Sequence, residues 1–252
     1  MTRRKIQLKN EQQVRKLRAA GQLVAETFAM IEPHVRPGVT TLELDQLAET
    51  FIRAHGAEPS FKGYNGFSGS ICVAVNDVVV HGIPDRQVLR EGDIIAIDIG
   101  ARLDGWHGDA TITYAVGKID AESRRLMDVC KASLDAGIEM SRAGNRLSDV
   151  SAAVQQVVEA AGFNVVRNLY AHGVGRDLHE APSFPHYGVP GRGPRLKEGM
   201  VYTIEPMIVA GDEAVDLLDD GWTIITADGS RSAQYEHTIA ITSNGPLVLT
   251  VP

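Results

Sequence analysis

Two acidic residues, Asp98 and Asp109, lie inside apolar, strand-like runs of the segment 91–117. Between them, Asp104 and Gly105 form the two-residue signal of a tight hairpin, with alternating apolar residues on both sides. The predicted register contains three pairs: Leu103 with Trp106, Gly100 with Asp109, and Asp98 with Thr111. Both carboxylates then point to the same face as diagonal neighbours, with backbones roughly 7–8 Å apart.

Two ionised carboxylates in this arrangement repel each other in a low dielectric, so a proton or a cation must lie between them. A metal ion is the natural candidate. The alternative is a twisted surface hairpin whose acids are solvated. The apolar residues of both strands favour a buried sheet instead. They are Ile94, Ile95, Ile97, Ile99 and Ile112.

The pattern occurs a second time in the chain. Three matches follow in the same order: EGDIIAID (91–98) with EGMVYTIE (198–205), DATIT (109–113) with EHTIA (236–240), and a His-Gly-aliphatic triplet at His81 with one at His172. Glu205 thereby takes the position of Asp98, and Glu236 that of Asp109. Three matches in one order predict a duplicated αβ half.

Residue parity places all four acids on one face of the predicted sheet. Their neighbours on that face are small or polar: Ala96, Thr111, Thr113, Thr203 and Thr238. The opposite face carries bulky residues that helices can cover: Ile97, Ile112, Ile204 and Ile239. The face with the acids therefore leaves room for a ligand.

Four carboxylates and at least one imidazole form an oxygen-rich ligand set without thiolates. Such a set suits two divalent transition ions, and it favours manganese, iron or cobalt as much as zinc. Two such ions can activate a bridging water and stabilise the oxyanion that forms at a carbonyl, which indicates hydrolysis. His237 has the opposite parity to Glu236 and should point away. Four further histidines have no comparable support: His34, His55, His107 and His186.

The composition is that of an ordinary globular protein, with 44% hydrophobic residues. A net charge of −7 argues against a nucleic-acid or anionic-membrane surface. The basic start has no apolar run behind it and no stretch reaches transmembrane length, so neither a signal peptide nor a membrane span is expected. With only Cys72 and Cys130 as cysteines, a reducing cytoplasm is the expected location. Nothing in the sequence demands a partner subunit, so a monomer is expected.

Four helices are predicted to cover the sheet. Capping boxes open the first two, at Asn10 with Gln13 and at Thr40 with Glu43. Asp120 caps a third helix ending near Gly144, and the fourth runs roughly over 148–161. Strands are predicted in 71–84, 163–170, 201–209, 222–227, 233–242 and 247–251. No linker divides the chain, so we expect one catalytic domain of two pseudo-symmetric halves, roughly 11–117 and 118–252.

Five segments together resemble the type I methionine aminopeptidases over nearly the whole chain. They are NDVVVHGIP, IDIGARLDGWHGDATIT, AHGVGRDLHEAP, TIEPMI and SAQYEHTIAIT. The resemblance implies the pita-bread fold, an α/β (α+β) architecture of two pseudo-twofold αβ halves with a central curved, mainly antiparallel sheet covered by helices. It also implies two divalent ions per chain, of cobalt, manganese, iron or zinc.

The resemblance assigns roles to residues. The implied metal ligands are Asp98, Asp109, His172, Glu205 and Glu236, with Asp109 and Glu236 as bridges. His179 would steady the scissile carbonyl and the tetrahedral intermediate, His81 would contact the peptide nitrogen, and Glu205 would double as proton acceptor. The implied methionine pocket is Phe61, Tyr64, Phe67, Cys72, Leu178 and Trp222. Phe61, Asn65 and Leu178 depart from residues common in the family, and Cys72 is equally well explained as a small core residue.

The implied activity is removal of the initiator methionine when the next residue is small, by attack of a metal-activated water on the first peptide bond. Nascent chains at the ribosome would be the substrates, and the chain resembles the short bacterial form. A prolidase or aminopeptidase P would share the five ligands, but those enzymes carry a large amino-terminal domain, and only about 70 residues precede the first predicted strand here. A non-catalytic binding module on the same fold is the other alternative.

Overall fold

A computed structural model describes residues 5–252; residues 1–4, at the basic start of the chain, lie outside the described residues. Its four α-helices are α1 (Glu11–Ile31), α2 (Thr41–Ala54), α3 (Ala121–Met140) and α4 (Leu147–Ala160). Both predicted capping boxes are present, at Asn10 with Gln13 and at Thr40 with Glu43. The third helix ends at Met140, before the predicted end near Gly144. Two short 3-10 turns cover Glu32–His34 and Tyr64–Gly66.

The strands are, in chain order, β1 (Glu58–Pro59), β2 (Cys72–Val75), β3 (Val78–Val80), β4 (Ile94–Leu103), β5 (Trp106–Ala115), β6 (Asn164–Val165), β7 (Ala171–Gly173), β8 (Glu180–Phe184), β9 (Val201–Ile204), β10 (Met207–Val209), β11 (Val215–Leu217), β12 (Ile224–Thr226), β13 (Ser232–Gln234), β14 (Glu236–Thr242) and β15 (Gly245–Val248). Nine of them form one antiparallel sheet in the order β1-β4-β5-β14-β9-β7-β8, with β2 beside β4 and β15 beside β14. The others form two three-stranded sheets, β13-β10-β6 and β11-β12-β3.

The predicted hairpin register is confirmed. Leu103 pairs with Trp106, Gly100 with Asp109 and Asp98 with Thr111, without a bulge. Gly100 serves close packing, because a Cβ atom there would lie 2.7 Å from Phe61 Cε1 and from Ser60 Cβ. The missing side chain therefore lets Ser60 and Phe61, the latter a residue of the predicted methionine pocket, lie directly against the sheet.

The centre of the large sheet has the symmetry that the repeated sequence predicts. Strands β4 and β5 from the first repeat lie beside β14 and β9 from the second, and Glu236 pairs with Thr111 where the repeats meet. Ile95, Ile97 and Ile99 of β4 pack in one core cluster with α1 and α2. Ile204 and Ile239 pack in another with Leu134 of α3 and Val150 of α4. The helices thus cover the face opposite the acids.

Several predicted strands are broken in the structure. The run 71–84 divides between β2 and β3, which lie in different sheets, because Asn76 adopts a left-handed φ of 55°. The run 201–209 is interrupted at Pro206, which has no N–H to donate to a ladder. The run 233–242 is interrupted at Tyr235, and 163–170 retains only β6. Four strands were not predicted: β1, β7, β8 and β11.

Candidate metal centre

The four acids converge from both repeats, as their parity predicts. Asp98 lies on β4, Asp109 on β5 and Glu236 at the first position of β14, and Glu205 follows β9 directly. One ligand atom each from Asp109, Glu236 and His172 of β7 lie within 4.8 Å of one another. His172 Nε2 is 3.7 Å from Asp109 Oδ2 and 3.7 Å from Glu205 Oε1.

Burial favours the protonated form of the four carboxyl groups when no cation is bound. It raises the pKa of Asp98 to about 7 and that of Glu205 to about 8, the charge on Asp98 adding to the shift at Glu205. Burial first, and then the neighbouring carboxylates, raise the pKa of Asp109 and of Glu236 well above the ordinary range. Four acids with raised pKa values around one cavity indicate a site that a cation neutralises.

Three buried carboxylate oxygens have no hydrogen-bond partner within residues 5–252: Asp98 Oδ1, Asp109 Oδ1 and Glu236 Oε1. Other oxygens of the group are held by hydroxyls. Thr111 Oγ1 donates to Glu236 Oε2 at 2.8 Å, and Thr203 Oγ1 donates to Glu205 Oε1 at 2.7 Å. Unpartnered carboxylate oxygens beside an imidazole are what divalent transition ions bind, so the residues present fit such a metal.

A cavity of about 310 Å³ joins the acids to the apolar residues of the predicted methionine pocket. Its lining includes all six of them: Phe61, Tyr64, Phe67, Cys72, Leu178 and Trp222. The Phe67 and Trp222 rings meet edge to face at 5.1 Å between centroids. Cys72 pairs with Asp98 on the neighbouring strand, so the apolar wall begins beside the acids.

His81 and His179 line the same cavity. The His179 ring lies 4.1 Å from the His172 ring between centroids, and its Nδ1 is 2.8 Å from Tyr64 Oη. His81 has a left-handed φ of 60°, a conformation that costs energy in a non-glycine residue and often marks a functional site. Desolvation lowers the pKa of both histidines, and His179 contributes to the shift at His81, so both rings are neutral near pH 7.

The remaining histidines lie elsewhere or have other partners. His237 Nδ1 is 2.8 Å from Thr250 Oγ1, so its ring points away from the acids as predicted. His107 Nδ1 is 2.8 Å from Ser60 Oγ, and His34 and His55 are exposed. His186, which had no support in the sequence, accepts a hydrogen bond from the backbone of Glu205.

Five lining residues were missed by the sequence analysis: Val80, Leu169, Tyr170, Met207 and Gln234. They lie on or beside short strands of different sheets, and no periodic pattern links them. A signal that could have found three of them was their position just before the two triplets, Val80 before His81 and Leu169 and Tyr170 before His172.

Three comparisons place the chain among known proteins. The profile of metallopeptidase family M24 matches residues 15–243. Methionine aminopeptidase 1 of Bacillus subtilis (strain 168) is 54% identical over 234 residues, which cover 93% of this chain and 94% of the relative. The methionine aminopeptidase from Rickettsia prowazekii superimposes with a TM-score of 0.97 at 44% identity, covering 98% of this chain and 100% of that one. The prolidase from Pyrococcus furiosus, at 22% identity and a TM-score of 0.80, covers 97% of this chain and 65% of that one and shares the fold.

Proposed function

We propose, from the premise that the chain belongs to metallopeptidase family M24 and within it to the methionine aminopeptidases, that its cluster of acids holds two divalent ions. The protein is thus a metal-dependent aminopeptidase of pita-bread fold that removes amino-terminal methionine. The proposed ligands are Asp98, Asp109, His172, Glu205 and Glu236, with Asp109 and Glu236 shared between the ions. The observation that carries the assignment is the set of three unpartnered, buried carboxylate oxygens beside His172. Cobalt, manganese, iron and zinc all suit this ligand set.

The methionine side chain of the substrate would occupy the apolar end of the cavity. Phe67 and Trp222 offer an edge-to-face aromatic wall, and thioethers make favourable contacts with aromatic edges. Leu178 is 3% exposed and Cys72 is 7% exposed, so this end is largely closed to water. A closed apolar pocket beside the acids fixes which peptide bond is cut, because the first residue fills it.

Divalent ions bound here would lower the pKa of a water molecule and polarise the scissile carbonyl. His179 would donate to the oxyanion of the tetrahedral intermediate, and His81 would contact the peptide nitrogen. Glu205 would accept the proton of the attacking water. Tyr64, 2.8 Å from His179 Nδ1, orients the ring.

We propose nascent polypeptides with a small second residue as the substrates, processed at the ribosome in the cytoplasm by a monomer. The two halves, 11–117 and 118–252, would act as one catalytic domain, since each supplies ligands to the same site. Within residues 5–252, no helix is both long enough and apolar enough to cross a membrane.

Metal titration tests the ligand assignment. Metal-free protein titrated with Mn²⁺ should bind two ions per chain, and release of methionine from Met-Ala-Ser should rise with occupancy. Binding of Mn²⁺ that is unchanged when Asp109 and Glu236 are both replaced would reject the proposed site.

A further inference from the structure

Glu205 lies where strand pairing cannot satisfy its backbone N–H. The ladder between β9 and β14 ends with Ile204 opposite His237, and Glu205 is the next residue. Pro206 follows and carries no N–H of its own. A buried N–H at such a break needs a partner from outside the sheet.

His186 supplies that partner. Glu205 N donates to His186 Nε2 at 3.0 Å, although the two residues are 19 positions apart. His186 is 1% exposed, so water does not compete for the contact. Because Nε2 accepts, the proton of the neutral ring is on Nδ1.

The segment that carries His186 is fixed to α4 on both sides of the histidine. Ser151 Oγ donates to the Pro185 carbonyl at 2.5 Å, and Gly188 N donates to Gln155 Oε1 at 2.9 Å. Ser151 and Gln155 lie one turn apart on α4. The helix therefore holds the ring in place from both flanks, and the ring holds Glu205.

We propose that His186 is a positioning residue of the metal centre, which fixes the backbone of Glu205 so that its carboxylate meets the ions. Thr203 Oγ1 holds the carboxylate of the same residue by donating a hydrogen bond to Glu205 Oε1. The inference rests on the proposed function, in which Glu205 is both a metal ligand and the proton acceptor. Groups that orient a ligand in this way typically change metal affinity or activity by about 10–100-fold when removed.

Two variants with side chains of similar length distinguish the loss of the hydrogen-bond acceptor at His186 from the loss of the volume of its ring. His186→Gln can present an amide oxygen near the position of Nε2, whereas His186→Met fills a similar volume without a good acceptor. Mn²⁺ is titrated into metal-free protein by calorimetry, and kcat and KM are measured separately on Met-Ala-Ser. We expect His186→Met to weaken Mn²⁺ binding by about 10–100-fold and to lower kcat with KM changed less than about threefold. His186→Gln should stay within about threefold of the unsubstituted protein in all three quantities.

Tyr187→Phe is the matched control, because it removes a hydrogen bond from the same segment to the Arg167 carbonyl without touching Glu205. It should leave Mn²⁺ affinity unchanged. Unchanged affinity in His186→Met, or equal losses in the Met and Gln variants, would overturn the proposal. If neither His186 variant folds, the nitrogen resonances of the unsubstituted protein decide, since a proton on Nε2 of His186 contradicts the contact. An unsubstituted protein that binds no Mn²⁺ would instead reject the proposed function.

Discussion

At the scale of single residues, Asp109 lies at the centre of the proposed chemistry. Its carboxylate is 3.7 Å from His172 Nε2, its Oδ1 has no hydrogen-bond partner within residues 5–252, and its pKa is raised by burial and by two neighbouring acids. Because Asp109 is a proposed bridge between the two ions, its loss should weaken the binding of both.

Asp109→Asn should lower kcat/KM on Met-Ala-Ser by more than about 100-fold, because the loss of a direct ligand exceeds the usual cost of losing a group that only orients one. The amide has nearly the shape of the carboxylate, so folding should be preserved. Mn²⁺ stoichiometry measured on the same sample should fall below two. Wild-type turnover with two bound ions would contradict the bridging role.

His179→Ala should keep both ions and lose rate. The imidazole is proposed to donate to the oxyanion, and removal of one such donor typically costs about 10²–10³-fold in kcat. His34→Ala, at an exposed histidine, is the control and should behave as the unsubstituted protein. The assigned role fails if His179→Ala retains full kcat, or if it loses the metal while His34→Ala does not.

At the scale of elements, the segment before α1 fixes the loop that carries His179. Lys9 Nζ lies 2.6 Å from Glu180 Oε2, and both side chains are at most 8% exposed. Glu180 Oε1 accepts from the backbone N–H of Arg176 at 2.9 Å, and Lys9 N donates to the Gly199 carbonyl at 2.7 Å. The buried ion pair thus joins the start of the described chain to the first residue of β8, directly after the loop that carries His179.

Lys9→Met should reduce the free energy of unfolding by roughly 3–5 kcal/mol, because it leaves Glu180 buried without its cation. Arg15→Met breaks an exposed pair with Glu11, 3.7 Å apart, and should cost at most about 1 kcal/mol. Glu180→Gln added to Lys9→Met should recover part of the loss, since the lone charge is gone. Chemical denaturation measures all three, and equal effects of Lys9→Met and Arg15→Met would show that the buried pair does not stabilise the loop.

The elements also show what the sequence could and could not predict. The Asp104 and Gly105 turn determines the hairpin register, and the repeated segments with their residue parity predict that the four acids share one face of a sheet. The turn at Asn76 was missed although Asn76 and Asp77 interrupt the apolar run and both residue types favour turns. The contact between His186 and Glu205 could not be predicted, because it depends on where a loop folds back and not on spacing.

At the scale of the whole molecule, the acids link stability to pH when no metal is bound. Burial raises the pKa of Asp98 from 3.8 to about 7 and that of Glu205 from 4.5 to about 8. A raised pKa in the folded state means that folding favours the protonated acid. The contribution of these two acids to stability is fully present below their pKa values in the unfolded state. It is lost as pH rises through their pKa values in the folded state.

Metal-free protein should therefore lose unfolding free energy, on the order of a few kcal/mol, between about pH 6.5 and pH 9. The buried histidines do not change the unfolding free energy in this pH range. Burial lowers the pKa of His172 and of His186 from 6.5 to about 3, so their contribution is present above 6.5 and is lost only toward acid. Mn²⁺ should stabilise the protein more as pH rises, because the ligands must be deprotonated to bind. Denaturation curves of metal-free protein that do not change over this range would contradict the coupling.

The central claim is that this molecule is a metal-dependent enzyme whose cavity selects methionine at the first position. The direct measurement is turnover of Met-Ala-Ser and of an Xaa-Pro peptide, after chelation and after re-addition of single divalent ions. Turnover of Met-Ala-Ser should vanish on chelation, return with at least one of manganese, cobalt, iron or zinc, and greatly exceed turnover of the Xaa-Pro peptide. Turnover that survives complete removal of metal, or a strong preference for the Xaa-Pro peptide, would contradict the account.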